Sequence, residues 1–288
     1  MQTNLPANTT RARDTQSELR ALLDENSLDD VIQEIHPGDT MFEYNNDWYY
    51  PAGFSALRSV RLAMLAAGKD SVTSILDLPS GYGRCLRIFK AAFPDAQLTA
   101  CDIDKRGVAF CAEALGAIPV EGKDDPMDTE LTGPYDLIWC GSLLTHVGIP
   151  IWVKFIKLFE SVLAPGGILV FTTFGRKIVE GRLRPLVDPL SFDEKQTIEV
   201  IKEYERTGFG YYNSLGVGEV ENAPSDYGDC VATPAWVCQT LDEHTPSLEF
   251  LLYTEGGWGT NRDEWAQDVV ACVKSDAVRK PADGRGDA

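Results

Sequence analysis

Between residues 74 and 173 the chain alternates short apolar runs with longer segments of helical periodicity, and this rhythm constrains the fold more than any other feature. Ile75-Leu76-Asp77-Leu78, Ala96 to Cys101, Ile118 to Val120, Tyr135 to Cys140 and Gly167 to Thr173 read as strands. Cys85 to Phe93, Lys105 to Leu115 and Trp152 to Leu163 read as the helices between them. Strands joined by helices form a parallel sheet, because each crossover must carry the chain back across a sheet face. The expectation is an α/β fold, doubly wound, with helices on both faces. Two later runs, Leu248 to Glu255 and Asp268 to Val273, read as an antiparallel pair on the sheet edge.

The flanks follow other patterns. Residues 1–13 are rich in Asn, Thr and Arg and read as a disordered tail, and 281–288 as a loose tail. Residues 14–70 read as a helical segment packed on the core. Its first helix spans 14–35, with Leu19, Leu22, Leu23, Val31 and Ile35 on one face and a stop at His36-Pro37-Gly38; its second spans Phe54 to Ala67. Residues 71–280 form the main domain. Within it, residues 175–246 break the strand-helix rhythm. They hold a helix at about 193–207, then Gly208-Phe-Gly-Tyr-Tyr, then a short helix from Trp236 to Leu241. This segment leaves the sheet at the ligand-binding edge, so it is the place to expect a substrate cover.

Composition narrows the partners. A net charge of −18, from 44 acidic and 26 basic side chains, disfavours nucleic acid, whose phosphates call for a basic face. Seven cysteines without a CxxC pair indicate no disulfide framework and a reducing compartment. Three histidines without ligand spacing give no reason to expect a metal. No apolar run approaches the ~20 residues that span a membrane, and no signal pattern opens the chain, so a cytoplasmic location is expected.

The chemistry concentrates in the turn Asp77-Leu78-Pro79-Ser80-Gly81-Tyr82-Gly83. Glycines there let backbone approach a ligand, and the following helix offers free N–H groups. Asp102 ends the next strand, nineteen positions after Gly83, where a carboxylate can take both hydroxyls of a ribose. A dinucleotide fingerprint needs a third glycine, but the chain reads Gly81-x-Gly83-x-x-Leu86, which weakens a nicotinamide reading.

Asp77-x-x-x-Gly81-x-Gly83 after the first strand resembles the signature of class I methyltransferases dependent on S-adenosylmethionine (SAM). Tyr135-Asp136-Leu137-Ile138-Trp139 resembles that family's fourth strand. Leu163-Ala164-Pro165-Gly166-Gly167-Ile168-Leu169 resembles its turn before strand five, and the closing hairpin resembles its strands six and seven. The resemblance spans roughly residues 70–175 and 246–274. It implies a mostly parallel seven-stranded sheet of order 3-2-1-4-5-7-6, with the last strand antiparallel, and SAM as cofactor. It also implies roles. Backbone around Ser80, Gly81 and Gly83 should cradle the amino-acid end of SAM, with Asp77 facing the same end. Asp102 should hold the ribose and Ile103 the adenine, with Asp125 or Asp124 beside it. Gly141 and Ser142 should border the sulfonium, and Tyr50 or Tyr44 could cap the methionine end.

His146, after the fourth strand, is the candidate general base, since its ordinary pKa of ~6.5 suits proton transfer near neutral pH. The alternative is that it shapes the strand-to-helix turn. His36 reads as part of a helix stop and His244 as a surface turn residue. Tyr211, Tyr212, Tyr227 and Trp236 either line an acceptor pocket or form a small core of their own. Trp258 and Gln267-Asp268 are expected to secure the closing hairpin. The acceptor implied is a small molecule or a glycan-like compound, with neither nucleic acid nor membrane as partner. A SAM-binding regulator or scaffold without catalysis is the alternative.

Overall fold

The computed structural model describes residues 31–44, 46–186, 193–213, 227–259 and 266–275. The elements, in chain order, are α1 (Thr40–Tyr44), α2 (Asn46–Ala67), β1 (Ser74–Asp77), α3 (Leu86–Ala92), β2 (Gln97–Asp102), α4 (Lys105–Leu115), β3 (Ile118–Glu121) and β4 (Tyr135–Cys140). They continue with α5 (Ile149–Val162), β5 (Leu163–Thr173), the single turn α6 (Arg176–Ile178), α7 (Glu194–Thr207), β6 (Phe209–Asn213), β7 (Gly228–Ala232), α8 (Pro234–His244), β8 (Leu248–Trp258) and β9 (Gln267–Lys274).

Seven strands form one sheet of order β3-β2-β1-β4-β5-β9-β8. Strands β1 to β5 pair in parallel, and β9 runs antiparallel to both β5 and β8. This is the expected order, with β8 and β9 in the places of the sixth and seventh strands. The sheet is covered on both faces, which is why its central strands are almost continuously apolar. On one face Ile75, Leu98, Leu137, Trp139, Ile168 and Val170 pack with Ala56, Val60, Leu86 and Phe89 of α2 and α3. On the other, Leu76, Ile138, Leu169 and Phe171 pack with Trp152, Ile156 and Phe159 of α5 and with Val237 and Leu241 of α8.

Local chemistry sets the helix ends. Asp104 caps α4 by accepting from the Arg106 N–H, and Gly116, at φ 68°, closes its other end. Asp193 and Gln196 form a reciprocal capping box on α7, and Gly208 ends it at φ 85°. These ends agree with the sequence reading because the signals are written in the chain.

Three expectations need correction. Of the helix expected over 14–35, residues 31–35 are irregular; residues 14–30, like the two tails, lie outside the described residues. The carbonyls of Ile32 and Glu34 instead accept from Nη1 of Arg87, at 2.9 and 2.7 Å. His36 therefore stops no helix; its ring stacks on Tyr82 with centroids 4.8 Å apart. The second N-terminal helix begins at Asn46 rather than Phe54 and takes Pro51 within it. Finally, residues 175–246 contain a two-stranded sheet, β6 paired antiparallel with β7, where no strand is expected from the residues. Gly210 depresses strand propensity, and the two strands are too far apart in sequence for a short hairpin turn.

This segment is stitched into the domain. β7 lies along the chain after β4: Cys230 N–H donates to Thr145 O and Gly228 N–H to His146 O, both at 2.8 Å. Phe209 and Trp236 join the core beneath α5, where Trp236 meets Trp152 edge-on at 5.0 Å. Phe174, Val179, Leu183, Val200, Tyr204 and Val231 make a smaller core of their own. Among the described residues no helix is long and apolar enough to cross a membrane.

Arg87 is fully buried, and its guanidinium spends itself on main-chain carbonyls, those of Gly83 and Tyr82 as well as Ile32 and Glu34. It ties the N-terminal segment to the glycine turn. Arg87→Met keeps the stem but strands these carbonyls, and should lower stability by about 2–3 kcal/mol. Urea unfolding that gives an unchanged midpoint would show the tie to be unimportant.

Candidate active site

At the carboxyl ends of β1, β2 and β4 lies a cavity of about 250 Å³. It brings together Asp77, Ser80, Gly81, Asp102, Gly141, Ser142 and His146 from the sequence reading. It also takes in Asp39, Tyr82, Arg84, Trp139, Tyr227 and Trp258. A second depression of about 650 Å³, beyond the end of β2, is lined by Ile103, Asp124 and Asp125, among others. Tyr50 lines neither. It packs against the core beneath α2, with its ring edge-on to Tyr49 at 5.4 Å. The Tyr44 side chain lies outside the described residues.

The turn that closes one wall depends on its glycines. Gly83 sits at φ 79°, and a Cβ on it would lie 2.6 Å from Leu115 of α4, so no side chain fits behind the turn. Gly81, at φ 49°, has open space where a Cβ would point. Its carbonyl is met from behind by α4: a Cβ on Gly107 would stand 2.5 Å from Gly81 O. That close approach escaped the sequence reading, although a glycine in the first turn of a helix was the available signal.

Asp77 is the electrostatic anomaly of the site. It is 1 % exposed, and among the described residues neither carboxylate oxygen meets a partner at full hydrogen-bonding geometry, with the Leu86 N–H the nearest donor to act on it. Burial pushes its carboxyl well above the ordinary carboxylate range, and the nearby Asp102 pushes in the same direction. A buried carboxylate without a partner is costly, so it marks a place where a cation belongs. Asp39, 4 % exposed, lines the same cavity and accepts from the Tyr49 hydroxyl at 2.6 Å. Arg84 is the counter-charge on this wall, its guanidinium 5.7 Å from the Trp258 ring. Acid and guanidinium side by side suit the ammonium and carboxylate of an amino acid.

Asp102 has two tasks. Its Oδ2 accepts from Gly81 N–H at 2.8 Å and its Oδ1 from Asp104 N–H at 2.9 Å, which pins the glycine turn to the end of β2. Each oxygen keeps a further lone pair for a ligand hydroxyl. Burial raises its carboxyl from the ordinary value, opposed by these backbone bonds. Asp125 is more committed: it caps the turn Pro126–Asp128 through Met127 N–H and pairs with Lys154, which lowers its pKa.

Ser142 adopts φ 60°, unusual for a residue with a side chain, and is held there by a closed ring of bonds. Its N–H donates to Thr172 Oγ1 at 2.8 Å, Thr172 Oγ1 donates to Gln267 Oε1 at 2.5 Å, and Gln267 Nε2 donates to Ser142 Oγ at 2.8 Å. Gln267 thus does more than secure the closing hairpin. Trp258 likewise reaches past it, donating from Nε1 to Ala52 O at 3.0 Å and meeting Trp139 edge-on at 5.6 Å. Asp268 stays within it, accepting from the Tyr253 hydroxyl at 2.7 Å and Gly256 N–H at 2.8 Å.

His146 faces the cavity from the opposite side. Its Nδ1 lies 3.0 Å from Gly228 O and 2.9 Å from Asp229 Oδ1, and Tyr227 stacks on its ring at 4.9 Å. Of the four aromatics weighed for an acceptor pocket, Tyr227 lines the cavity, whereas Tyr211, Tyr212 and Trp236 do not. Asp229 was missed because nothing in the sequence reports that β7 lies beside the turn after β4. His244 ends α8, away from this site.

Comparison with known proteins fits this geometry. Residues 76–169 match the family model described as a methyltransferase domain. The structure resembles a SAM-dependent methyltransferase from Clostridium acetobutylicum, at TM-score 0.51 and 10% identity, covering 82% of this chain and 97% of that one. It resembles 1,6-didemethyltoxoflavin-N1-methyltransferase from Burkholderia thailandensis at 0.53 and 14%, covering 96% and 94%. DesVI from Streptomyces venezuelae follows the same fold at 0.50 and 15%, covering 84% and 100%. At such identities the likeness establishes the fold. No curated protein matches the chain.

The raised Asp77 carboxyl predicts a pH effect on the ligand-free protein. A carboxyl whose folded pKa is raised favours folding below its unfolded value, ~4, and that contribution is lost as pH rises through the raised folded value. Asp77→Asn removes the buried charge. Its melting temperature should therefore gain on the wild type as pH climbs above the ordinary carboxylate range. A gap independent of pH, followed by calorimetry, would contradict this.

Proposed function

We propose, on the premise that this chain is a class I SAM-dependent methyltransferase, that it methylates a small-molecule or glycan-like acceptor held between the glycine turn and the segment after β5. The observation that carries this reading is the buried carboxylate of Asp77, without a well-formed hydrogen bond among the described residues, on the same cavity wall as Arg84. When bound, SAM supplies a methyl group already activated by the positive charge on its sulfur.

In this reading Asp77 takes the ammonium of the amino-acid end and Arg84 its carboxylate, while backbone from Ser80 to Gly83 lies along it. Asp102 holds the ribose hydroxyls, and Ile103 opens the adenine side, where Asp124 and Asp125 line the adjoining depression. Gly141 and Ser142 border the reacting centre, with Trp139 and Trp258 offering aromatic faces to a cation. Tyr50 drops out of the reading, since it lies outside the cavity lining and packs, half-buried, against the core. The protein's main contribution to rate is alignment of the acceptor opposite the leaving sulfur.

Residues 175–246 supply the acceptor side, through Tyr227 on the cavity wall. The acidic chain disfavours a polyanionic acceptor. Among neighbours of the same fold, the Burkholderia thailandensis enzyme was crystallised with bound 1,6-didemethyltoxoflavin and S-adenosylhomocysteine, which supports a compact acceptor here.

Titration calorimetry tests the reading. Wild-type protein should bind SAM, and Asp102→Ala should weaken binding by roughly 1–3 kcal/mol, because the ribose loses a charged acceptor. Asp77→Asn and Arg84→Met should each weaken it as well. A wild type that gives no heat with SAM, or variants that bind as well as wild type, would reject the assignment.

A further inference from the structure

We propose that Asp229 and the Gly228 carbonyl lock His146 as a proton acceptor at Nε2, and that the acceptor of methylation is therefore a hydroxyl group. The inference deepens the methyltransferase reading and rests on it. Its ground is the identity of the atoms around Nδ1. Gly228 O at 3.0 Å and Asp229 Oδ1 at 2.9 Å can only accept when the carboxylate is ionised, so Nδ1 must carry the hydrogen in the neutral and the charged ring alike. Every proton that His146 gains or loses then passes through Nε2. That atom has no hydrogen-bond partner among the described residues, and His146 lines the cavity.

The surroundings fix this arrangement. Gly228 N–H donates to His146 O at 2.8 Å, so backbone and ring of His146 are gripped by the same residue. Tyr227 covers the ring face with an interplanar angle of 16°, and Phe174 meets its edge at 6.3 Å. Asp229 is 4 % exposed, so its charge acts through little intervening water. A histidine that merely shaped a turn would not need a buried carboxylate behind it. An uncharged amine can attack the methyl carbon before it sheds a proton, whereas a hydroxyl is a poor nucleophile until its proton is being removed. In the step proposed, the hydroxyl oxygen forms a bond to the methyl carbon and the carbon–sulfur bond breaks with its electron pair passing to sulfur. The hydroxyl proton moves to Nε2. Asp229 balances the resulting imidazolium, which later returns its proton to solvent. Asp229 is a positioning residue in this scheme and His146 the catalytic one.

Nitrogen NMR on protein carrying labelled histidine reads the arrangement directly, because the chain has only three histidines. The expected result for wild type above neutral pH is a His146 ring protonated at Nδ1, identified by its loss in His146→Gln. Asp229→Asn should abolish or mix this tautomer, and Asp229→Glu should largely keep it. A wild-type His146 ring protonated at Nε2 overturns the proposal whatever the Asp229 variants show. Release of S-adenosylhomocysteine is then followed with a panel of phenols, sugar alcohols and amines of matched size. Hydroxyl compounds should be turned over, with the rate falling roughly 100-fold or more in His146→Gln and Asp229→Asn. SAM affinity by calorimetry should be unchanged in both. Turnover confined to amines overturns the acceptor class, and variants as fast as wild type overturn the base. Failure of wild type to bind SAM would instead strike the methyltransferase reading beneath it.

Discussion

A buried carboxylate that meets no well-formed hydrogen bond among the described residues is the constraint around which this molecule is organised. Asp77 ends β1, the strand at which the order reverses and the crossovers diverge, so it lines the one kind of crevice that open α/β sheets reserve for ligands. The fold bears that cost because the apolar pairs between β1 and β4, Ile75 with Leu137 on one face and Leu76 with Ile138 on the other, keep the sheet packed on both faces. Asp102 then pins the glycine turn in place, and Arg87 pins the N-terminal segment to the back of that turn. The site is thus assembled before any ligand arrives, which reduces the ordering cost of binding.

The other half of the site comes from a long excursion after β5. Its strands add little to the main sheet, but β7 runs beside the turn that carries His146 and delivers Tyr227, Gly228 and Asp229 to it in succession. The two walls of the cavity therefore have separate structural origins. The first is built from the regular geometry of a parallel sheet, the second from the long segment after β5, the kind of excursion that varies most on a shared fold.

That division explains what could be read from the sequence. Strand-helix alternation, the caps around Lys105–Leu115 and the capping box before Glu194 are local signals, and the elements they mark fall where expected. Asp77, Gly81, Ser142 and His146 were legible because their positions at strand ends follow from the same rhythm, and the cavity gathers them. Arg84, Asp39 and Asp229 were not. Their importance comes from tertiary proximity, namely a tryptophan 174 positions away from Arg84, a tyrosine hydroxyl for Asp39 and a histidine 83 positions from Asp229. Residues 31–36 misled for a related reason: their apolar spacing is helical, yet a buried guanidinium claims the carbonyls that a helix would use.

In the proposed function Asp77 meets the amino group of an amino-acid ligand. A crystal structure of the protein with S-adenosylhomocysteine measures this directly. The ligand's ammonium should lie within hydrogen-bonding distance of the Asp77 carboxylate and its ribose hydroxyls on Asp102. A complex in which Asp77 still has no partner, with the nucleoside seated elsewhere, would contradict it.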